Sequence, residues 1–334
     1  MQAILEGVSA GQGGRVVLAR AYRKALETSV ARYFNGRLIN CMSCTTECAY
    51  LSVSTVMRSP DDFFPDRPES HGLQLHANAT VGMWFGEFML LDWDMFQSSH
   101  ERGAFHAAAR AVSGGPVYVS DKVGKHDFDL LRKLVLSDGT VLRADYPGRP
   151  TPDCLYTDPK RDQSLLKIFN LNGDCGIVGV FNVRHDISLG ERLGGSVAVS
   201  DVPSLRQGDY AAFGHRSGRL WQCAFDERTT IDLAEGEWEL VSFAPVENGF
   251  AALGLADKFN STRAISSRAW QQGECHSSLR DGGSLVAWAA HKPSAVLSDD
   301  SSIAFSYDQS TGRLTVDIPE GQSKRLIIRW PLSV

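Results

Sequence analysis

Two acidic clusters hold most of the chemistry this sequence could offer. The first lies in Val56–Phe64, VMRSPDDFF, where Arg58 precedes Asp61 and Asp62 at the end of a short β-branched run. The second is Asp92-Trp93-Asp94, about thirty residues on and again after an apolar run. A tryptophan between carboxylates suits a sugar, because the ring face stacks on C–H groups while the carboxylates bind hydroxyls. Neighbours on an extended strand point to opposite sides, so only one of Asp61 and Asp62 is expected to face a common site. Asp92 and Asp94 share the i, i+2 spacing of one strand face. The plainer readings are a turn at Ser59-Pro60-Asp61-Asp62 and a strand end carrying a packed tryptophan.

Cys41, Cys44 and Cys48 have the density of a metal cluster, but a structural zinc needs four ligands and no nearby histidine completes the set. Metal is therefore not expected, nor any cofactor. Seven cysteines, an odd number at irregular spacing, point to free thiols in a reducing, cytoplasmic compartment. His76, His100, His106 and His126 are scattered and read as surface or packing residues. The glycines at Gly11, Gly13 and Gly14 follow no strand and lack a phosphate-loop spacing. A net charge of −5 without a basic stripe argues against nucleic acid. The chain has no long apolar run that would span a membrane and no leader pattern.

The elements needed to position these clusters alternate. A helix is predicted over Arg15–Phe34, with Leu18, Tyr22, Leu26 and Val30 on its apolar face and a stop at Asn35-Gly36. Strands are predicted at Leu38–Met42, Tyr50–Met57, Phe88–Leu91 and Val117–Ser120. Helices are predicted at Ser70–Phe85, Glu101–Val112 and His126–Leu136. That alternation marks parallel βαβ units, with each polar constellation just after a strand, the catalytic face of a (β/α)₈ barrel. About four strands make half such a barrel. From Leu165 the pattern turns all-β, including a hairpin around Asp308–Gly312, and Pro147–Pro159 reads as a linker. The expected fold is α/β + β: the C-terminal half of a (β/α)₈ TIM barrel over residues 1–150, then a β-sandwich-like domain over 151–334.

Several of these segments resemble the raffinose synthase / alkaline α-galactosidase (seed imbibition protein) family, of the glycoside hydrolase family 36 type. They include Arg58-Ser59-Pro60-Asp61-Asp62-Phe63, Gly86-Glu87-Phe88 and Asp92-Trp93-Asp94-Met95-Phe96. The run from His106 through Ser113-Gly114-Gly115-Pro116 to Asp121-Lys122, then Gly124-Lys125-His126 and Pro147–Thr151, continues the likeness. It covers most of residues 1–185 and thins in the β half. The resemblance implies a barrel followed by a β-domain. It also implies retaining transfer of an α-galactosyl group to water or to a sugar such as sucrose, with galactinol or raffinose as candidate donors. By that resemblance Asp62, four residues after Arg58, is the general acid/base, which must hold a proton near neutrality. Arg58 would hold sugar hydroxyls or orient the acid. Cys41 would lie against the galactose. Asp61, Asp92, Trp93 and Asp94 would shape the sugar or acceptor site.

The family's nucleophile is an aspartate in a Lys-x-Asp motif just before the segment that Gln2–Glu6 resembles. No lysine or aspartate stands ahead of that segment here, and the first aspartate is Asp61. The expectation is thus a chain lacking its nucleophile. Other departures are Pro60, the absence of a histidine near Cys44, and Val183-Arg184-His185-Asp186 after Asn182. Two readings follow: the C-terminal part of a galactosyl-transferring enzyme, or a non-catalytic sugar- or partner-binding remnant. A half-barrel exposes an apolar strand edge, so self-association is expected.

Overall fold

The computed structural model describes residues 5–43, 46–59, 61–185, 191–321 and 324–331. Cys44, Pro60 and Asp186 lie outside them, as does the start of the Gln2–Glu6 segment. Among the described residues the first half carries six α-helices: α1 Leu5–Val8, α2 Arg15–Phe34, α3 Thr46–Leu51, α4 Pro68–Val81, α5 Gly103–Ser113 and α6 Phe128–Leu131. Three short strands, β1 Ile39–Asn40, β2 Val56–Arg58 and β3 Leu90–Asp92, form one parallel sheet in that order.

Helix α2 stops as expected at Asn35, which turns left-handed (φ 51°) and donates its N–H to the Val30 carbonyl. Its buried face differs from the expected one. Ala19, Arg23 and Val30 are buried, Leu18 and Leu26 are half-buried, and Tyr22 is exposed. The reason is polar: Arg23 reaches Asn40 at 2.8 Å and Glu27 at 3.0 Å, and also bonds Ser52. Glu27 accepts from the Ser54 hydroxyl at 2.6 Å and from the Val53 and Ser54 amides. This network turns the helix by about one position from the face that apolar spacing predicts.

The strand expected over Tyr50–Met57 is helical at its start and pairs only from Val56, opposite Ile39. The sheet offers no partner earlier, and Tyr50 and Val53 are exposed. Val117–Ser120 contributes a single parallel bridge, Phe96 to Val119, rather than a full strand. The helix expected over His126–Leu136 is one turn, α6, capped by the Asp127 carboxylate. The chain then folds back through a bridge between Val135 and Val141.

Helix α5 is buried all round, not along one stripe. On one side it meets the parallel sheet, through Leu91, Trp93 and Phe96. On the other lies a six-stranded sheet, whose Ile168, Ile177, Phe181 and Leu240 join the same core. That sheet runs in the order Arg149–Pro150, Leu166–Asn172, Cys175–Phe181, Trp238–Pro245, Asp209–Gly214, Leu220–Ala224. The expected linker is woven into it: Arg149–Pro150 is its edge strand, and Thr151 and Cys154 are buried. A two-stranded ribbon, Arg192–Val197 with Thr229–Ala234, closes a second core on the sheet's other face.

The rest of the β half is two further sheets sharing one core. A four-stranded sheet (Phe250–Leu255, Gly283–Ala289, Arg313–Ile318, Phe305–Asp308) faces a five-stranded one (Ile265–Gln271, Glu274–Leu279, Lys324–Arg329, Ala295–Ser298, Ser301–Ser302). Between them lie Phe250, Leu285, Leu314, Leu326 and Ile328. The predicted hairpin after Phe305 is present. Among the described residues no helix is long and apolar enough to cross a membrane.

Candidate active site at the end of the parallel sheet

Parallel register places Arg58, the last residue of β2, opposite Asp92, the last of β3. The two acidic clusters of the sequence therefore meet. Arg58 Nη2 lies 2.7 Å from Asp62 Oδ1 and 2.5 Å from Asp94 Oδ2, and its Nε lies 3.8 Å from Asp92 Oδ2. Arg58, Asp92 and Asp94 are buried, whereas the Asp62 side chain is two-thirds exposed at 67%. One guanidinium thus joins three carboxylates, and a planar fork with several donors is the group that can do so.

The loop after β3 is built to aim these carboxylates. Asp94 adopts a left-handed backbone (φ 68°), and its N–H donates to Asp92 Oδ1 at 3.0 Å. Its own Oδ2 accepts from the Phe63 amide at 2.7 Å, which ties the Asp61–Phe63 segment to β3. Asp92 also accepts from the Tyr118 hydroxyl at 2.8 Å. Burial raises the Asp92 carboxyl above its ordinary range, against the Tyr118 hydrogen bond and the Arg58 charge, which lower it. Tyr118 is pushed up as well, by burial and by the carboxylate it donates to. Asp61 meets Arg58 through its backbone carbonyl at 3.4 Å, and its half-buried carboxyl is raised by burial and by the Asp62 charge. Of the adjacent pair, Asp62 pairs its carboxylate with Arg58, while Asp61 meets Arg58 through its backbone carbonyl; both lie in the loop after β2, not on a strand.

Beneath the site runs a buried donor chain. Arg110 Nη2 donates to the carbonyls of Trp93 (2.7 Å), Met95 (3.2 Å) and Asp94 (3.3 Å), and to Gln74 Oε1. Its Nη1 donates to His106 Nδ1 at 2.9 Å. His106 must then carry its proton on Nε2, which donates to His71 Nδ1 at 2.6 Å. His71 in turn donates from Nε2 to the Pro65 carbonyl at 3.2 Å. The tautomers follow from Arg110 having only donors. Burial holds both histidines below their ordinary value, His106 far below, so they are neutral. Burial also lowers Arg110, to about 10, which leaves it charged at neutral pH. This chain ties the loop after β2 to the loop after β3.

The sequence missed Arg110, Tyr118, His71 and Gln74. For Arg110 a signal existed: it is the lone charge among apolar residues in a helix whose Phe105, Ala108, Ala109 and Val112 were read as core. One expected site residue is placed differently. Trp93 is fully buried in the core, so its ring supports the sheet end and presents no face to a sugar. The requirement that decides this is packing: the ring fills the space between α5 and the strand ends. Cys41 follows β1 and is exposed as a free thiol. Among the described residues no group of acids, histidines and cysteines could hold a metal ion.

Residues 1–188 and 193–318 match the profile of the family described as "Raffinose synthase or seed imbibition protein Sip1". The chain belongs to that raffinose synthase / Sip1 family. It is 40% identical over 356 residues to the Arabidopsis thaliana protein described as "Probable galactinol--sucrose galactosyltransferase 1", covering 96% of this chain and 47% of that protein. It is 38% identical over 351 residues to "Probable galactinol--sucrose galactosyltransferase 6" from the same plant, covering 95% and 47%. The chain therefore spans about half the length of the curated relatives it matches. A Saccharomyces cerevisiae alpha-galactosidase solved with raffinose overlays with a TM-score of 0.49 at 9% identity, over 69% of each chain.

Proposed function

We propose that this raffinose synthase family chain supplies the acid/base side of an α-galactosyl-transferring site. Asp62 acts as the general acid/base and Arg58 orients it. Asp61, Asp92 and Asp94 set the polar wall against the transferred sugar, and Cys41 borders it. The observation that carries this reading is the Arg58–Asp62 pair at the end of β2, with Asp94 of the next strand on the same guanidinium nitrogen. Asp62 is the member of the cluster open to solvent, where a substrate can reach it. Curated relatives described as galactinol–sucrose galactosyltransferases support galactinol as donor and sucrose as acceptor, with raffinose-type oligosaccharides as products.

In this reading residues 1–150 form the second half of a (β/α)₈ barrel and residues 151–334 its β-domain. The nucleophile that retaining displacement requires comes from a segment outside these 334 residues, and its carboxylate would lie about 5–5.5 Å from Asp62. The protein works in the cytoplasm. Its open strand edge at β1 is covered by further chain or by a second copy. The second reading is a sugar-binding remnant of the family without catalysis.

Two measurements separate these readings. Galactosyl transfer from galactinol to sucrose is assayed with this chain alone and with a whole-length family protein carrying Asp62→Asn in this segment. The chain alone is expected to be inactive, and the substitution to lower the whole protein's rate by roughly 10²–10⁴-fold. Transfer by the chain alone overturns the nucleophile assignment, and an active Asp62→Asn protein overturns the acid/base assignment. Calorimetry with galactose should show binding by this chain that Arg58→Ala abolishes. Unchanged binding rejects the site.

A further inference from the structure

A second cluster of aromatic residues lies at one end of the four- and five-stranded sheets and shares no residue with the site above. Strand Ile265–Gln271 ends there, and strand Lys324–Arg329 delivers Trp330 beside it. The Trp270 and Trp330 rings lie 5.7 Å apart between centroids, tilted by 32°. Phe250 backs both, edge-on, at 6.1 and 5.3 Å. Each indole is fixed by its N–H: Trp330 donates to the His291 carbonyl at 3.0 Å, and Trp270 to Glu247 Oε2 at 3.3 Å. The rings are half-buried, so their orientation is set before any ligand arrives, and part of their surface stays open.

These rings help line a cavity of about 760 Å³, within the range of roughly 300–1,000 Å³ that small-molecule sites occupy. Asn248, Gln271 and Gln272 stand on its rim, with Lys292 the residue of fixed charge. Gln272 holds a left-handed backbone (φ 46°) in the tight turn before Gly273, and the Ala290 amide donates to the Gly249 carbonyl at 2.8 Å, joining two of the rim loops. Amide side chains offer a donor and an acceptor side by side, which matches the vicinal hydroxyls of a sugar. Indole faces match the C–H face of a pyranose ring.

We infer that this cavity is a second carbohydrate-binding site, taking one or two pyranose units of a neutral oligosaccharide and independent of the Arg58–Asp62 site. It would hold an oligosaccharide or glycan against the protein without reacting with it. A proline-rich peptide is the competing occupant of an aromatic cleft, because its rings also lie on indoles. The amide-rich rim favours the sugar.

The test is a titration of the ¹⁵N-labelled chain with raffinose, following the indole Nε1–H resonances assigned through Trp270→Phe and Trp330→Phe. Both resonances should shift and saturate, and should do so equally in Arg58→Ala, while the open-chain polyol mannitol leaves them in place. Trp330→Ala should raise the raffinose Kd at this site by roughly tenfold or more. Because that variant removes a packed ring, Gln271→Ala with Gln272→Ala, both exposed, one at the strand end and one in the turn after it, provides the independent variant and should weaken binding as well. Resonances unmoved by raffinose, shifts lost in Arg58→Ala, or shifts given by an oligoproline peptide and not by raffinose would each overturn the assignment.

Discussion

Arg110, in the middle of α5, donates to the backbone carbonyl of Trp93 at 2.7 Å, where the chain leaves β3. A buried cation thus holds the loop that carries Asp94, though it belongs to neither acidic cluster. Its removal should be costly, since it leaves three carbonyls, Gln74 and His106 without their donor. Arg110→Met is expected to lower stability by about 3–5 kcal/mol, read as a drop in the urea midpoint. Arg110→Lys should recover only part of this, because a single ammonium cannot span the fork's partners. A midpoint within experimental scatter of the wild type for Arg110→Met would show that the network contributes nothing to stability.

Trp93 separates a packing role from a binding one. Its ring is fully buried, so Trp93→Phe should lower the melting temperature, at a cost of about 1–3 kcal/mol, and leave galactose affinity within a few-fold. A large loss of affinity with unchanged stability would restore the ring to the sugar site.

Gly115 passes so close to β3 that an added Cβ would meet the Leu91 carbonyl oxygen at 2.0 Å. Gly114 beside it has φ 71°, and its Cβ would meet the Tyr146 carbonyl at the same distance. Gly115→Ala must push β3 away from α5 and should cost about 3 kcal/mol or more, with galactose binding falling in parallel. A stable, binding-competent Gly115→Ala protein contradicts this close approach.

Stability should depend on pH through buried neutral histidines. Burial brings His215 down to about 3, from an ordinary 6.5. Below about pH 6.5 the unfolded chain takes up this proton while the folded chain does not. The stability His215 contributes is therefore present above that pH and is lost as pH falls towards 3. His215→Gln keeps an amide near the Ser242 hydroxyl and removes the titration. The stability difference between wild type and variant should shift by roughly 3 kcal/mol between pH 7 and 4 in urea titrations, with the wild type losing more. Asp92 has the opposite sign: its carboxyl is raised, so its contribution is lost as pH rises through the raised value. A pH-independent difference between wild type and His215→Gln would mean that His215 is charged in the folded protein.

The residue types and spacing of this chain were enough to determine its family, the alternation of its first half and the β character of its second. Those follow from local rules: helical and strand periodicity and glycine stops act within a few residues. Tertiary structure alone decided the rest. Helix α2 turned to bury Arg23 because its partners Asn40 and Ser52, and Ser54 that bonds Glu27, come from outside the helix. Helix α5 became buried all round because two sheets, one of them assembled from residues 149–245, close on it. Asp92 and Asp94 reached Arg58 because parallel register set the end of β2 against the end of β3. Arg110 and the two histidines became a single donor chain only once α4 and α5 lay side by side. Register and helix rotation are set by partners distant in sequence, and no window along the chain contains them.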